Sequence, residues 1–229
     1  MTSEAAWRYE RKFTVEGMPS IEVESMLLRH AACRELFHRR FVNNVYFDGP
    51  EMSSLTDNVS GLSERLKTRI RWYGDFFGHI ERPALERKLK RGLVGRKESH
   101  PLAALDWEPG ADAARLSGLW ERSALPDPLR IDLKRLGPVL ANRYARRYFQ
   151  SADGRFRFTV DNEIAFHPIR AFDNRFGQWR RHLGVVVELK YALPDDAAAG
   201  AITARLPFRL SRSSKYAAGL DSVHCLRIH

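Results

Sequence analysis

Cysteine is scarce in this sequence. Only Cys33 and Cys225 occur, far apart and in no CxxC spacing, which excludes a disulfide framework and a cysteine zinc site. Long apolar runs are missing as well; the longest, around residues 183–187, is far too short to span a bilayer. Residues 1–12 are polar and charged and carry no signal-peptide core, so a reducing, cytoplasmic setting is the expectation. There is no Walker-type phosphate loop and no dinucleotide fingerprint, and the eight histidines fall in no HExxH or comparable ligand spacing, which leaves them core or surface roles. Negative charge is also short: 28 acidic residues face 38 lysines and arginines, a net charge of +10. A surplus of that size points to polyanionic partners. On charge alone nucleic acid, anionic lipid and phosphorylated small molecules all stay open.

What is present reads as globular. The chain has 229 residues, 44% hydrophobic and 29% charged, enough to bury a core. No repeat or low-complexity tract divides it, and the loop-like stretches at 74–78, 100–110 and 194–200 are too short for a linker. One domain over 1–229 is expected. Strand-like segments dominate, at 7–15, 41–48, 64–73, 85–91, 139–150, 155–166, 184–193 and 207–210. Helices are expected over 20–32, where Pro19 precedes Ile21, Met26, Leu27 and Leu28 at helical spacing, and over 112–121, 195–205 and 213–219. Many strands with few helices between them suggest an antiparallel sheet that can close on itself.

Alternate residues of a strand share a face, and this periodicity carries the functional reading. In 64–73, Arg65, Lys67, Arg69 and Arg71 line one face against Leu66, Thr68, Ile70 and Trp72. Arg8, Glu10 and Lys12 share a face, as do Glu86, Lys88 and Lys90 against Leu85 and Leu89. Arg155, Arg157, Thr159 and Asp161 oppose Phe156, Phe158 and Val160; Glu188 and Lys190 oppose Val187, Leu189 and Tyr191. In 139–150 the split is less clean, with Arg146 beside Tyr144 and Tyr148 and with Arg143 and Arg147 opposite. An ordinary wet sheet face is polar too, but it mixes signs, and here basic residues recur strand after strand. If the sheet closes, these faces converge on one lumen and the apolar faces point outward. That inverts the usual small barrel, whose interior is filled by side chains. An extended, multiply charged ligand threaded through the middle would justify it.

Several stretches in this order resemble the VTC domain. They are Tyr-Glu-Arg-Lys-Phe at 9–13, Val-Tyr-Phe-Asp at 45–48, Lys-Thr-Arg-Ile-Arg-Trp-Tyr-Gly at 67–74 and Glu-Arg-Lys-Leu-Lys at 86–90. Arg-Tyr-Ala-Arg-Arg-Tyr-Phe at 143–149, Arg-Phe-Thr-Val-Asp at 157–161, Val-Glu-Leu-Lys-Tyr at 187–191 and Ser-Lys-Tyr at 214–216 follow. The VTC domain is the catalytic domain of vacuolar transporter chaperone polyphosphate polymerases and their bacterial relatives, within the triphosphate tunnel metalloenzymes related to CYTH proteins. The resemblance runs from Tyr9 to Gly219. It implies an α+β fold, mainly antiparallel β, forming a closed eight-stranded barrel tunnel with a basic lumen and flanking helices.

The resemblance also implies roles. Lys12, Arg69, Arg71, Lys88, Arg146, Arg157 and Lys215 look like the residues that grip the triphosphate and the growing chain. Lys67, Lys90 and Lys190 join them as substrate-binding candidates. Arg212 stands where the family often has a lysine, and Ser214 looks like a phosphate-contacting hydroxyl. Glu188 looks like the ligand of Mn²⁺ or Mg²⁺. Glu10, Glu86 and Asp161 are expected as neighbours that orient lysines and arginines through ion pairs rather than as metal ligands, since an empty basic lumen needs counter-charges. One departure is informative. Many hydrolytic tunnel enzymes open with ExExK; here Arg8 takes the first glutamate's place, which disfavours a second metal and water activation.

The chemistry follows from these residue types. Phosphoryl transfer needs positioning and charge neutralisation more than covalent help, guanidinium grips phosphate in bidentate fashion, and a hard divalent ion prefers carboxylate and phosphate oxygens. The leading expectation is transfer of the terminal phosphate of ATP onto polyphosphate, the acceptor chain entering from the tunnel's other end. An inorganic or nucleoside triphosphatase is the alternative, and a non-catalytic polyphosphate-binding sensor is another. In eukaryotic relatives a membrane complex receives the product, so a separate membrane protein is a conceivable partner; nucleic acid is disfavoured because no RRM-like aromatic motif accompanies the basic strands. Arg39, Arg40, Arg87, Arg91, Arg180 and Arg181 are expected at the surface. Trp72, Tyr73, Phe76 and Phe77 are expected as cladding rather than as base-stacking platforms.

Overall fold

The computed structural model describes residues 7–30, 33–172 and 174–224. Cys225 lies outside these, as do residues 31 and 32 of the first expected helix. The chain opens with β1 (Arg8–Val15), α1 (Ser20–His30), a long β2 (Cys33–Asp48) and α2 (Ser53–Ser60). Next come β3 (Glu64–Tyr73), β4 (Gly78–Ile80), β5 (Ala84–Arg91), β6 (Val94–Pro101) and β7 (Leu105–Trp107). Three short helices, α3 (Ala114–Ser117), α4 (Leu119–Arg122) and α5 (Asp127–Leu133), lead to β8 (Gly137–Ser151) and β9 (Arg157–Pro168). The chain finishes with β10 (Arg180–Arg181), β11 (Val185–Tyr191), α6 (Asp196–Thr203) and α7 (Lys215–His224).

Eight strands pair antiparallel in the order β9-β11-β1-β6-β5-β3-β2-β8, and β8 returns to pair with β9, so the sheet meets itself in a ring. The joins are unequal. β2 and β8 pair along most of their length, through register shifts near Glu35, Phe37 and Arg40. β1 and β6 share only Arg8↔Gly95 and Tyr9↔Val94. Gly92, at φ 56°, begins the two-residue turn between Arg91 and Val94 that brings the β5–β6 hairpin tip to this join. Beyond Tyr9 the free edge of β1 is covered by the segment before α7: Phe13 bridges Leu210, and Ser211 N–H donates to the Lys12 carbonyl at 2.7 Å.

The apolar faces point outward, as the alternation predicts. On one flank Val45, Phe47, Ile70, Trp72 and Leu85 pack under Trp107, Leu116, Leu119, Trp120 and Leu133 from β7 and helices α3–α5. On the other, Phe13, Phe158, Val160, Val187 and Leu189 pack under Val23, Leu27 and Ala199 from α1 and α6. Each large buried side chain among these contributes about 1.5–3 kcal/mol, so the ring is held by its jacket and the middle of its interior is left to polar groups.

α7 closes one end. Tyr216, Leu220 and Val223 pack against Val42, Tyr46, Leu140, Tyr144, Ile164, Phe166 and Val186 on the inner face. Asp48 ties this end together: its carboxylate accepts the N–H groups of Gly49, Ser54 and Leu55 at the start of α2 and the Tyr216 hydroxyl. Among the described residues no helix is long and apolar enough to cross a membrane.

Several sequence expectations need correction. Residues 207–210 form no strand, only the single bridge at Leu210. Residues 94–101 are a strand that runs into the loop expected from 100. The loop expected over 194–200 is instead a one-turn 3-10 helix, Leu193–Asp195, followed by α6. The helix expected over 112–121 divides at Gly118 into α3 and α4.

Candidate functional site

The lumen residues come from alternate positions, and the ladder registers bring them level. Lys12 pairs with Glu188, Glu10 with Lys190, Lys67 with Lys88, Arg69 with Glu86, and Arg146 with Asp161. In the middle of the ring, Glu188 lies 3.3 Å from Lys190 Nζ, 3.6 Å from Lys215 Nζ, 3.6 Å from Arg146 and 3.7 Å from Lys12 Nζ. Burial opposes its ionisation, but Lys190, Lys12, Lys215 and Arg146 outweigh burial and hold the carboxyl well below its usual range.

The other expected carboxylates are held the same way. Glu10 Oε2 takes Lys88 Nζ at 2.5 Å, and its Oε1 lies 3.3 Å from Lys12 Nζ. Glu86 accepts Arg69 Nε and Nη2 at 3.0 and 2.6 Å and Lys97 Nζ at 2.7 Å, with Arg71 3.5 Å away. Asp161 accepts Arg146 through both oxygens, at 2.5 and 2.6 Å, and pairs with Lys215 at 2.5 Å. Burial pushes the Glu10, Glu86 and Asp161 carboxyls up, and in each the adjacent cations push harder, so all three sit below their ordinary values. Lys88 goes the other way, down to about 8, because burial together with Lys12 and Lys190 outweighs Glu10.

Ser214 immediately precedes α7, and its Oγ accepts Ala217 N–H at 3.4 Å, so the helix start, with its partial positive charge, is directed at the lysines. Lys67 Nζ donates to Ser214 Oγ at 2.7 Å and to Asn58 Oδ1 at 2.6 Å. Burial and then Lys12, Lys88, Arg65 and Arg69 push Lys67 down to about 6. Lys90 stands in the field of Arg65, Lys12 and Arg212, and burial followed by Arg65 lowers it. Arg157 and Arg212 are exposed at rims of the ring. The structure thus gathers Lys12, Lys67, Arg69, Arg71, Lys88, Lys90, Arg146, Lys190, Ser214 and Lys215 with Glu10, Glu86, Asp161 and Glu188, and leaves Arg157 and Arg212 at the edges.

Some assignments move. Arg155 is not in the lumen strand; it sits in the β8–β9 turn, paired with Asp153 and Asp195 at 2.7 and 3.1 Å. Arg40 and Tyr73 are inward members rather than surface and cladding residues. Arg40 is in register with Arg146, and Tyr73 is two residues beyond Arg71 on the same strand face. Lys97 was not foreseen, although Gly95, Lys97 and Ser99 alternate along β6 as the other lumen strands do. Asn44 and Tyr46 were also missed. Asn44 Oδ1 accepts Arg71 Nε at 2.8 Å, and the Tyr46 hydroxyl accepts Arg69 at 3.3 Å.

A model of the VTC domain matches residues 7–224. This chain belongs to the VTC domain family. Two solved structures are similar in fold. The PH1012 protein of Pyrococcus horikoshii OT3 has a TM-score of 0.50 and 10% identity, over 91% of this chain and 96% of that one. An adenylate cyclase candidate from Vibrio parahaemolyticus has a TM-score of 0.50 and 12% identity, over 90% and 94%. No curated protein matches the chain in sequence. The VTC family and the ring of basic strands together give this chain the fold of triphosphate-tunnel phosphotransferases and hydrolases.

Divalent metals serve this VTC fold, and the lumen can be tested for a place to hold one. Among the described residues no three His, Cys, Asp or Glu side chains form a ready cage. Two carboxylates do fit a metal shared with substrate. Glu10 Oε1 is buried without a hydrogen-bond partner, and Glu10 and Glu188 both approach the same Lys12 Nζ, at 3.3 and 3.7 Å. Magnesium-like ions are commonly held by one or two carboxylates with phosphate oxygens completing the shell. The donor set therefore suits an ion that arrives with a phosphate chain.

Proposed function

We propose that this VTC domain protein is a polyphosphate polymerase-type phosphotransferase, working as one tunnel domain, that moves the terminal phosphate of ATP onto a polyphosphate chain. One observation carries the reading. Each of the four lumen carboxylates, Glu10, Glu86, Asp161 and Glu188, is in contact with at least two cations. All four are held ionised by those cations, and a carboxylate whose pKa is held down in this way is a weak base toward water. Arg8, where hydrolytic relatives carry a further glutamate, adds none. An anionic acceptor gains from such a wall, whereas activation of water does not.

The chain's residues would divide the work. Arg69, Arg71 and Arg146 spread the charge that builds on the transferring phosphoryl group. Lys12, Lys88, Lys190, Lys215 and the Ser214 hydroxyl orient the phosphates, with Lys67, Lys90, Arg157 and Arg212 extending the track. Glu188, with Glu10 beside it, would hold Mn²⁺ or Mg²⁺, which neutralises and aligns phosphate oxygens when bound. Glu86 and Asp161 keep Arg69 and Arg146 in place before substrate arrives.

The test is incubation with ATP and Mn²⁺, comparing the wild type with Glu188→Ala. Chain growth in the wild type, abolished in a variant with an unchanged circular dichroism spectrum, is expected. Release of orthophosphate without chain growth would make the protein a triphosphatase. Binding without turnover under any metal would make it a sensor, and equal activity in both proteins would remove Glu188 from the metal site.

A further inference from the structure

Arginines and aromatic rings alternate up the inner wall of β2 and β8. The Arg146 guanidinium lies 5.1 Å from the Tyr144 ring centre and 5.8 Å from that of Tyr148. The Arg40 guanidinium lies 4.7 Å from the Tyr148 ring, 4.2 Å from Tyr73 and 5.6 Å from Phe37. Phe37 meets Tyr148 edge-on, with ring centres 5.6 Å apart. The column starts at buried Tyr144, beside Arg71, and ends at the mouth opposite α7. There Tyr73 is 48% and Phe37 54% exposed. Arg40 Nε is buried and makes no hydrogen bond.

Large aromatic surface left open at the entrance of a polar channel is costly in water, and nothing in phosphate binding calls for it. We propose that this mouth is a nucleobase subsite: the base of a nucleoside triphosphate stacks on Tyr73 and Phe37 while its phosphates run inward past Arg146, Arg71 and Arg69. The inference rests on the tunnel reading above and adds that the donor is a nucleotide held by its base. The spacing suits it, because four residues of strand separate Tyr73 from Arg69, ~14 Å at the rise of an antiparallel strand, the reach of an extended nucleoside triphosphate. Arg40, held between Tyr73 and Tyr148, fixes the platform before the base arrives and adds a cation–π contribution. Stacking is tolerant of base identity because every base has a π-face. Purines, with the larger ring, are therefore favoured over pyrimidines without being read individually.

The decisive measurement is calorimetric binding of ATP, CTP and inorganic tripolyphosphate to the wild type and to Tyr73→Ala, Phe37→Ala and Tyr73→Phe. The alanine variants are expected to lose about tenfold in ATP affinity and less for CTP. Tripolyphosphate affinity should stay within about twofold, which also shows that the tunnel is folded. Tyr73→Phe should keep the ATP affinity, since the ring and not the hydroxyl does the stacking. Equal losses for ATP and tripolyphosphate, or no loss for either, would overturn the subsite while leaving the tunnel reading standing. A wild type that binds neither ligand would overturn the tunnel reading itself, and the subsite with it.

Discussion

Arg146 and Asp161 face one another across β8 and β9 and are joined by two parallel hydrogen bonds of 2.5 and 2.6 Å, with the side chain of Asp161 wholly buried. A carboxylate so enclosed exists to hold cations: Arg146 on one side and Lys215, at 2.5 Å, on the other. Asp161→Asn keeps the shape and removes the charge, leaving two buried cations short of a partner. Breaking a buried pair in this way costs about 3–5 kcal/mol. The expected outcome is a clear drop in the urea midpoint, partly restored by tripolyphosphate, whose charge takes the place of the missing carboxylate. An unchanged midpoint would show that the pair is structurally idle.

Lys67 gives the free protein a pH signature. Its folded value of about 6 lies below the ~10.4 of an unfolded lysine. Between those values the unfolded chain binds the extra proton, so this group makes stability rise with pH across that window. A triphosphate beside Lys67 favours the ammonium form, so binding takes up a proton there and affinity falls as pH rises above about 6. Calorimetry near pH ~7.5 in buffers of different ionisation enthalpy should show Lys67→Met taking up about one proton fewer than wild type on binding tripolyphosphate. Identical proton counts would mean Lys67 is already charged.

Gly219 sets how closely α7 seats in the ring. A β-carbon there would stand 2.5 Å from the Phe166 ring and 2.6 Å from Leu140. Gly219→Ala gains ~1 kcal/mol of helix propensity but forces two buried side chains aside, at about 1–3 kcal/mol. The packing loss is expected to win, lowering the melting temperature. A higher melting temperature would show that this end of the ring yields easily.

Much of this arrangement was legible because period-two alternation survives wherever one face is apolar and the other basic. β3 runs over the residues expected of it, and Arg69, Lys88, Arg146 and Glu188 fall on the inner face as their positions require. β6 escaped because Arg96 and Glu98 on its outer face are as polar as Lys97 and Ser99 on its inner one, so no contrast marked it. Arg155 was misplaced because the alternation of β9 continues into a turn, where Asp153 and not the ladder fixes its direction. Arg40 and Tyr73 were misread for a different reason: the strand expected at 41–48 stopped short of Arg40, which shares the face of Val42 and Asn44 by plain alternation, and Tyr73 was taken with its aromatic neighbours instead of with Arg71 on the same strand face. α2 and α5 are short and depend on their neighbours, α2 on the Asp48 carboxylate at its start.

The narrow join between β1 and β6 puts the shortest seam of the wall next to its densest cluster of cations. Two residue pairs hold the strands there, and past Tyr9 the segment at Leu210 and Ser211 takes over, with one bridge to Phe13 and one hydrogen bond to the Lys12 carbonyl. The cohesion of the ring beside Lys12 therefore hangs on a piece of chain that belongs to no strand, which shields an edge that would otherwise stand open.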